Sequence, residues 1–198
     1  MSPVDPPAHS PAQHWDARYS AEKGAWLGRE PRQLLLDFTH LLPSSGLALD
    51  AAAGVGHNSL YLARHGLRVI ALDISLVGLR LAGRRARDES LPVWPAVYDL
   101  ANPWFPLKIF DVILNFHFLE RATFPNYRGA LKPGGLLYFE TFLKIDPTLP
   151  NPDYYLEPGE LSSAFQGFEV IHARELHLPA SESHPERGMA QLVARKPG

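Results

Sequence analysis

Residues 47–75 constrain the fold more than any other part of the chain. This segment starts with an apolar stretch, passes through a turn with two glycines, continues with helical periodicity and ends in a second apolar stretch that closes on Asp73. Such an order is typical of a βαβ unit, in which a helix joins two parallel strands. Asp73 follows Gly54 by 19 residues, near the ~20 at which an acid can reach a ribose hydroxyl. The segment therefore predicts a pocket for a ligand that contains adenosine.

The turn distinguishes between two kinds of nucleotide site. A dinucleotide fingerprint, G-x-G-x-x-G, brings backbone amides to a pyrophosphate, but Ser59 stands where the third glycine belongs. Residues 50–56 read D-A-A-A-G-V-G. This acid followed by late glycines is similar to the first motif of class I S-adenosylmethionine methyltransferases, whose loop wraps a neutral nucleoside and an amino-acid tail. The chain departs from that motif at Ala52, where the family usually has glycine and where alanine disfavours a positive φ.

Later motifs follow in the order of the same family. The resemblance implies that Asp99 takes the adenine amino group and that its neighbour Leu100 supplies a backbone amide. The apolar residues 110–117 resemble the fourth strand, whose end faces the transferred methyl group. L-K-P-G-G at residues 131–135 resembles the turn into the fifth strand.

The resemblance extends to the TehB-like branch of the family. Residues 56–66, G-H-N-S-L-Y-L-A-R-H-G, are similar to the helix opening of that branch, and residues 14–19 match its W-x-x-R-Y entry segment. R-E-L-H at residues 174–177 matches its C-terminal part. By this resemblance, His177 and Arg187 would reach the acceptor pocket and could hold an oxyanion.

Ligands of parallel sheets bind beyond the carboxyl ends of the strands, where the strand order reverses. The predicted cofactor site there comprises Asp50, Ala51, Ala52, Gly54, Gly56, Asp73, Ile74, Asp99, Leu100, Asn115 and Arg18. Asp73 would accept hydrogen bonds from the ribose, although an acid there can also cap the following helix. Arg18 is a candidate for the methionine carboxylate. The acceptor side would be lined by Trp15, Tyr19, Trp26, His117, Phe118, Tyr138 and Glu140, with His117 as pocket lining or as a base.

Alternating apolar strands and helices predict one α/β domain, a Rossmann-like seven-stranded and mostly parallel sheet with helices on both faces. Strands are expected at 47–51, 67–73, 93–98, 109–115, 134–142, 167–176 and 189–196. Helices are expected at 13–19, 31–41, 57–65, 75–87, 121–131 and 159–165, with Pro31 in the first turn of its helix. The short link between the last two strands favours an antiparallel last strand, which suits the family order 3-2-1-4-5-7-6. The domain is expected at residues 14–198, after a proline-rich disordered tail at 1–13, and residues 146–159 are expected to form a loop.

Composition limits the partners. A net charge of −2 over 198 residues leaves no basic field for a nucleic-acid backbone, and no apolar run approaches a membrane span. The absence of cysteine excludes disulfides and thiolate metal sites. The spacing of His172, His177 and His184 fits no common metal site, so no metal is expected. A cytoplasmic location is the default, and either a monomer or a homodimer is possible.

These patterns predict an enzyme that uses S-adenosylmethionine to methylate a small molecule by in-line displacement. The main alternative is a protein that binds S-adenosylmethionine without turnover. A propylamine transferase shares the fold, but the sequence has no acid-rich polyamine pocket. A nicotinamide oxidoreductase is disfavoured by the missing third glycine.

Overall fold

The computed structural model of the protein describes residues 10–21, 23–146, 151–180 and 186–198. Its helices are α1 (Pro11–Ala21), α2 (Lys23–Leu27), α3 (Gln33–Asp37), α4 (His57–Arg64), α5 (Leu76–Asp88), α6 (Thr123–Ala130) and α7 (Glu160–Ala164). Its strands are β1 (Gly46–Ala51), β2 (Leu67–Asp73), β3 (Val93–Val97), β4 (Phe110–Phe116), β5 (Leu131–Leu143), β6 (Glu169–Leu178) and β7 (Arg187–Arg195). Short 3-10 turns lie at Thr39–Leu41 and Pro152–Tyr154.

The strands form one sheet in the order β3-β2-β1-β4-β5-β7-β6, which confirms the predicted topology. The first five strands are parallel, and β7 runs antiparallel to both β5 and β6. One apolar cluster packs α3, α4 and α5 on one face of the sheet, and a second packs α6 and α7 on the other. Within the described ranges, no helix is long and apolar enough to cross a membrane.

The strand order reverses at β1. This strand pairs with β2 on one side and with β4 on the other, so the chain leaves β1 in one direction and later returns to its opposite edge. The loops that follow these three strands therefore diverge and leave a crevice between them. The functional residues predicted from the sequence come mainly from these loops.

The N-terminal part of the chain is more ordered than expected. Helix α1 starts at Pro11, inside the stretch 1–13 that was predicted to be disordered. The reason is a reciprocal cap, because Ser10 N–H donates to Gln13 Oε1 (3.1 Å) and Gln13 N–H donates to Ser10 Oγ (3.3 Å). The rest of the predicted tail, residues 1–9, lies outside the described residues. Helix α2 was not predicted from the sequence.

The prediction for Pro31 was wrong. Helix α3 starts at Gln33, and Arg32 before it is extended, with φ −62° and ψ 136°. Arg32 N–H instead donates to Asn58 Oδ1 on the first turn of α4, at 3.0 Å. This bond ties the N-terminal segment to the helix that follows the glycine turn. Helical structure ends earlier than predicted, and a 3-10 turn at Thr39–Leu41 replaces its last turn.

A carboxylate joins three strands at the amino ends of β1 and β4. Asp111 Oδ2 accepts a hydrogen bond from Leu47 N–H (2.8 Å), and both Asp111 oxygens accept from Lys132 Nζ (2.9 and 2.8 Å). Gly46 leaves room for this carboxylate, because a Cβ there would lie 2.6 Å from Asp111 Oδ2. Lys132 belongs to the L-K-P-G-G segment, and β5 starts at Leu131, three residues before the predicted start, through a shift in register against β4.

The loop predicted at residues 146–159 lies only partly within the described residues, since 147–150 fall outside them. The described part contains the 3-10 turn at Pro152–Tyr154, and Leu156 pairs with Leu143 at the end of β5. This pairing extends the sheet edge beyond β5.

Candidate functional site

The turn after β1 has a left-handed backbone at three positions. Ala52 has φ 56°, Gly54 has φ 56° and Gly56 has φ 80°. Both glycines are also sterically required, because a Cβ at Gly54 would lie 2.7 Å from the Tyr19 phenol oxygen and one at Gly56 would lie 2.7 Å from Ala82 Cβ. Alanine adopts this conformation only with strain. Ala52 therefore keeps the shape of a glycine turn without a glycine.

Asp73 is buried at the end of β2 and binds two backbone amides. Its Oδ2 accepts a hydrogen bond from Gly54 N–H and its Oδ1 accepts one from Ser75 N–H, both at 2.8 Å. Ser75 is the N-cap of α5, and its hydroxyl accepts from Gly78 N–H. Burial raises the pKa of Asp73, and these amide bonds only partly offset that effect. The carboxylate thus fixes the glycine turn to the start of α5.

Asp50 lies beneath the turn with no exposure to solvent. Its Oδ2 accepts a hydrogen bond from the Ser59 hydroxyl at 2.5 Å. Burial raises the pKa of Asp50 to about 7, although the Ser59 bond lowers it. A carboxyl group of this kind changes charge near neutral pH, close to the path of the turn.

Polar groups also meet at the end of β4. The Asn115 side chain is fully buried and used internally, because its Nδ2 donates to Phe118 O (2.8 Å) and its Oδ1 accepts from Tyr127 OH (3.1 Å). These bonds hold the turn that presents His117. His117 has φ 55°, a strained value for a residue that is not glycine. Its Nε2 lies 3.2 Å from Glu140 Oε1.

Glu140 connects β4 with β7 through side chains. Its Oε2 accepts a hydrogen bond from Gln191 Nε2 at 2.7 Å, and Gln191 Oε1 lies 3.2 Å from His172 Nε2. Burial alone would raise the pKa of Glu140, but the bonds from His117 and Gln191 hold it below its usual range. Burial lowers the pKa of His117 against the opposing effect of Glu140. An ionised glutamate and a neutral histidine are therefore side by side at neutral pH.

Helix α1 covers the crevice. The Tyr19 ring is buried against Gly54 and contacts the rings of Trp15 and Trp26, with centroid distances of 5.6 and 5.0 Å. Asp16 holds the helix in place, because its Oδ1 accepts from Ser75 Oγ (2.5 Å) and Val77 N–H (3.0 Å). The first turn of α5 is thus bonded to α1 beside the turn.

The sequence of this region matches a known protein family. A family profile described as a methyltransferase domain matches residues 48–135, which span β1 to the turn of β5. The matched segment contains the glycine turn, Asp73 and the end of β4. Over residues 48–135, the chain is similar to the S-adenosylmethionine-dependent methyltransferases. That family implies S-adenosylmethionine as the cofactor, as the sequence predicted.

Several individual proteins resemble this chain. The S-adenosyl-L-methionine-dependent Diels-Alderase iccD of Talaromyces variabilis is 45% identical over 51 residues, covering 26% of this chain and 18% of that protein. The putative methyltransferase YqeM of Bacillus subtilis (strain 168) is 27% identical over 148 residues, covering 66% of this chain and 60% of YqeM. The chain thus spans less than two thirds of either curated relative.

The structure of TehB from Haemophilus influenzae is similar to that of this chain. Its TM-score is 0.73 at 20% identity, over 92% of this chain and 67% of that chain. At this identity the comparison shows a shared fold. The predicted likeness to TehB is confirmed at that level.

The fold does not bring every predicted residue to the crevice. The side chain of His177 is 61% exposed and pairs with Glu186 at 2.7 Å. Arg187 pairs with Leu178 and shares its face of the sheet, whereas His177, one residue earlier on β6, lies on the opposite face. Arg18 is exposed and lies over the rings of Trp15 and Trp26, each at 5.3 Å. His184 lies outside the described residues, among which no group of three potential ligands could hold a metal ion.

On the adenine side, the predicted residues differ in exposure. Leu100 is buried and Ile74 is half-buried, whereas Asp99 is exposed and its Oδ1 accepts from Ala101 N–H at 2.9 Å. Sequence reasoning missed Ser59, Asp16, Arg32 and Gln191. Gln191 had a detectable signal, as a polar residue within the apolar strand M-A-Q-L-V-A, but nothing in the local sequence marks Arg32 as a residue of the site.

Proposed function

We propose that this methyltransferase transfers the methyl group of S-adenosylmethionine to a small-molecule acceptor by in-line displacement. The observation that carries the proposal is the meeting of two groups of residues in one crevice. The glycine turn and Asp73 lie at the ends of β1 and β2, and His117, just beyond β4, pairs with Glu140 on β5. The first group suits a nucleoside, and the second suits a proton-bearing acceptor.

We assign the cofactor to the backbone of the turn from Ala51 to Gly56, above Asp50, and to Asp73. The amides of Ala53, Gly54 and Gly56 are already bonded within the protein, so the turn would offer the cofactor its shape and its small side chains. Each Asp73 oxygen keeps a lone pair besides the one that accepts an amide. Ile74, Asp99 and Leu100 would border the adenine. Asn115 would act through the backbone that it fixes, because both its polar atoms are already used. When bound, S-adenosylmethionine supplies a methyl group that is already activated on a sulfonium.

We assign the acceptor to the side of His117. A proton on Nε2 would satisfy Glu140 and leave the Nδ1 lone pair to take a proton from the acceptor. In the transfer, the acceptor would give this proton to His117 and take the methyl group, and the bound S-adenosylmethionine would leave as S-adenosylhomocysteine. Arg187 would add a positive charge to this side, whereas the exposed position of His177 gives it no part in the proposed site.

The first experiment is calorimetric titration with S-adenosylmethionine and S-adenosylhomocysteine, with NAD as the control. We expect micromolar binding of the first two and none of NAD. An acceptor screen with selenite, tellurite, small thiols and phenols would then follow the formation of S-adenosylhomocysteine. Absence of binding by either cofactor form contradicts the proposal.

A second function is binding of S-adenosylmethionine without methyl transfer. It is favoured by the similarity of a short segment to a Diels-Alderase that depends on the same cofactor, and by the left-handed alanine in the turn. A protein of this kind would bind S-adenosylmethionine in the titration and yield no S-adenosylhomocysteine with any acceptor. The same two assays therefore separate the two functions.

A further inference from the structure

Two arginines flank Glu140 beyond the end of β4. Arg187 on β7 lies on the same face of the sheet as Gln191, which pairs with Glu140 across the strands and donates to its carboxylate. Arg32 reaches the same face from the N-terminal segment. Its N–H is bonded to Asn58, and α3 after it is fixed to β5 because Tyr138 OH donates to Phe38 O at 2.9 Å.

Neither guanidinium group has a hydrogen bond or an ion pair to a carboxylate in the part of the chain that the structure describes, although the charge of Glu140 acts on Arg32. Arg32 bonds there only through its backbone N–H, and Arg187 only through its strand pairing with β6. Both side chains are half-buried. A cation withdrawn from water without a bonded anion is costly, so the arrangement is suited to a negatively charged ligand.

The half-buried charges here leave an excess of one positive charge, since Arg29, the other cation that acts on the pKa of Arg32, is exposed and lies over the Trp26 ring at 3.9 Å. Arg32 and Arg187 contribute two positive charges, and Glu140 contributes one negative charge because its pKa is held below the usual range. His117 adds none, since burial first and then the charges of Arg32 and Arg187 lower its pKa. One excess charge matches a carboxylate better than a doubly charged phosphate, and the guanidinium fork fits a carboxylate in geometry.

We propose that Arg32 and Arg187 bind a carboxylate group of the methyl acceptor and so hold its hydroxyl group against His117. This inference rests on the proposed methyl transfer and names its substrate class, a small hydroxy acid. The hydroxyl proton moves to Nδ1 of His117, the oxygen forms the bond to the methyl group, and the carboxylate is unchanged. Acceptors with an ammonium group are repelled at the same place.

Arg32 could instead meet the carboxylate of the cofactor's methionine tail. Among the charges around Arg32, that of Glu140, on the acceptor side of the crevice, has the largest effect on the pKa of Arg32. In contrast, Arg32 affects the pKa of Asp50 beneath the turn less than Ser59 and Asp73 do. The acceptor side is therefore the assignment that we make. A comparison of S-adenosylhomocysteine with 5′-methylthioadenosine, which lacks the amino-acid tail, distinguishes the two.

The experiment measures binding to the protein saturated with S-adenosylhomocysteine. The probes are two matched pairs, 4-hydroxybenzoate with 4-hydroxybenzamide and 3-hydroxypropionate with 3-hydroxypropionamide. We expect the acid of at least one pair to bind about tenfold or more tightly than its amide, as a charge-assisted bond provides. Arg32→Ala and Arg187→Ala should each reduce that preference to less than about threefold, and Arg32→Lys should retain part of it.

The control is Arg84→Ala, which removes an equal charge from an exposed position on α5 and should leave the preference intact. Equal binding of acid and amide in both pairs, or no binding of any probe, overturns the inference. So does an Arg32→Ala variant that loses affinity for S-adenosylhomocysteine but not for 5′-methylthioadenosine. In each of these cases, the proposed function is retained if the wild type still binds the cofactor. If the wild type does not bind the cofactor, both the proposed function and this inference are rejected.

Discussion

The Ser59 hydroxyl donates a hydrogen bond to the Asp50 carboxylate at 2.5 Å, in a place with no access to water. Ser59 also occupies the position that excluded a dinucleotide fingerprint. The residue that replaces the third glycine therefore satisfies the buried acid at the start of the turn. This relationship links the motif to the electrostatics of the site.

We expect the stability of the protein to depend on pH through Asp50. Its pKa is about 7 in the folded chain and about 3.9 in an unfolded chain, so between these values the folded state binds more protons. The contribution of Asp50 to the free energy of unfolding therefore falls as pH rises through this range and is constant above it. Urea unfolding of wild type and Asp50→Asn from pH 4 to 8 should show a difference that changes with pH. A constant difference would contradict the assignment.

Ala52→Gly should stabilise the protein. The substitution relieves a positive φ, and we expect a gain of about 0.5–1 kcal/mol in the free energy of unfolding. Ala53→Gly is the matched control, because the neighbouring residue is not left-handed, and glycine there should cost about 0.5–1 kcal/mol. Thermal or urea unfolding of both variants measures this, and a loss of stability in Ala52→Gly would show that the turn is unstrained.

Asp73→Ala should weaken binding of S-adenosylhomocysteine by about 1.5–3 kcal/mol, or roughly 10- to 150-fold. The variant removes the proposed ribose acceptor and also the acceptor that orders Gly54 and Ser75. Asp88→Ala, at the exposed end of α5, is the control and should bind as the wild type does. Calorimetry measures both, and an unchanged dissociation constant in Asp73→Ala would exclude Asp73 from the site.

Asp16→Ala should loosen the cover over the crevice. The substitution removes two hydrogen bonds to a carboxylate, and bonds of this kind contribute about 1.5–3 kcal/mol each. We expect faster hydrogen exchange at the Val77 amide, which donates to Asp16, with core amides of β1 unchanged. His14→Ala, an exposed change on the same helix, should leave the Val77 amide protected. Equal protection in both variants would mean that Asp16 does not hold α1.

Glu140→Gln should shift the titration of His117. Removing the carboxylate takes away the group that raises the pKa of the imidazole, so the pKa falls further below 6.5. If His117 is the base, the rate of methyl transfer rises with pH through this pKa, and in Glu140→Gln the rise moves to lower pH. Nuclear magnetic resonance of the imidazole gives the pKa without any acceptor. A pKa that rises or stays constant would contradict the pairing.

The sheet could be predicted from the sequence because its strands are short apolar runs in a known order. The turn, Asp73 and the end of β4 followed from the motif and from the rule that ligands bind where strand order reverses. Arg32 and Asp16 could not be predicted, because each contributes through a contact with a residue 26 or 61 positions away. Gln191 left only a weak signal as a polar residue in an apolar strand, and its partner Glu140 lies 51 positions away. The sequence match could not place His177, since it does not specify which face of a strand a side chain occupies.

Asp111 stands apart from all of these predictions. It joins β1, β4 and Lys132 at the amino ends of β1 and β4, whereas the crevice opens at the carboxyl ends of these strands. The length of these central strands separates the residues that anchor the sheet from the residues that are proposed to bind ligands. Substitutions that strengthen the anchored edge, or tags and surface attachments placed there, can therefore be made without disturbing the residues proposed to bind the cofactor.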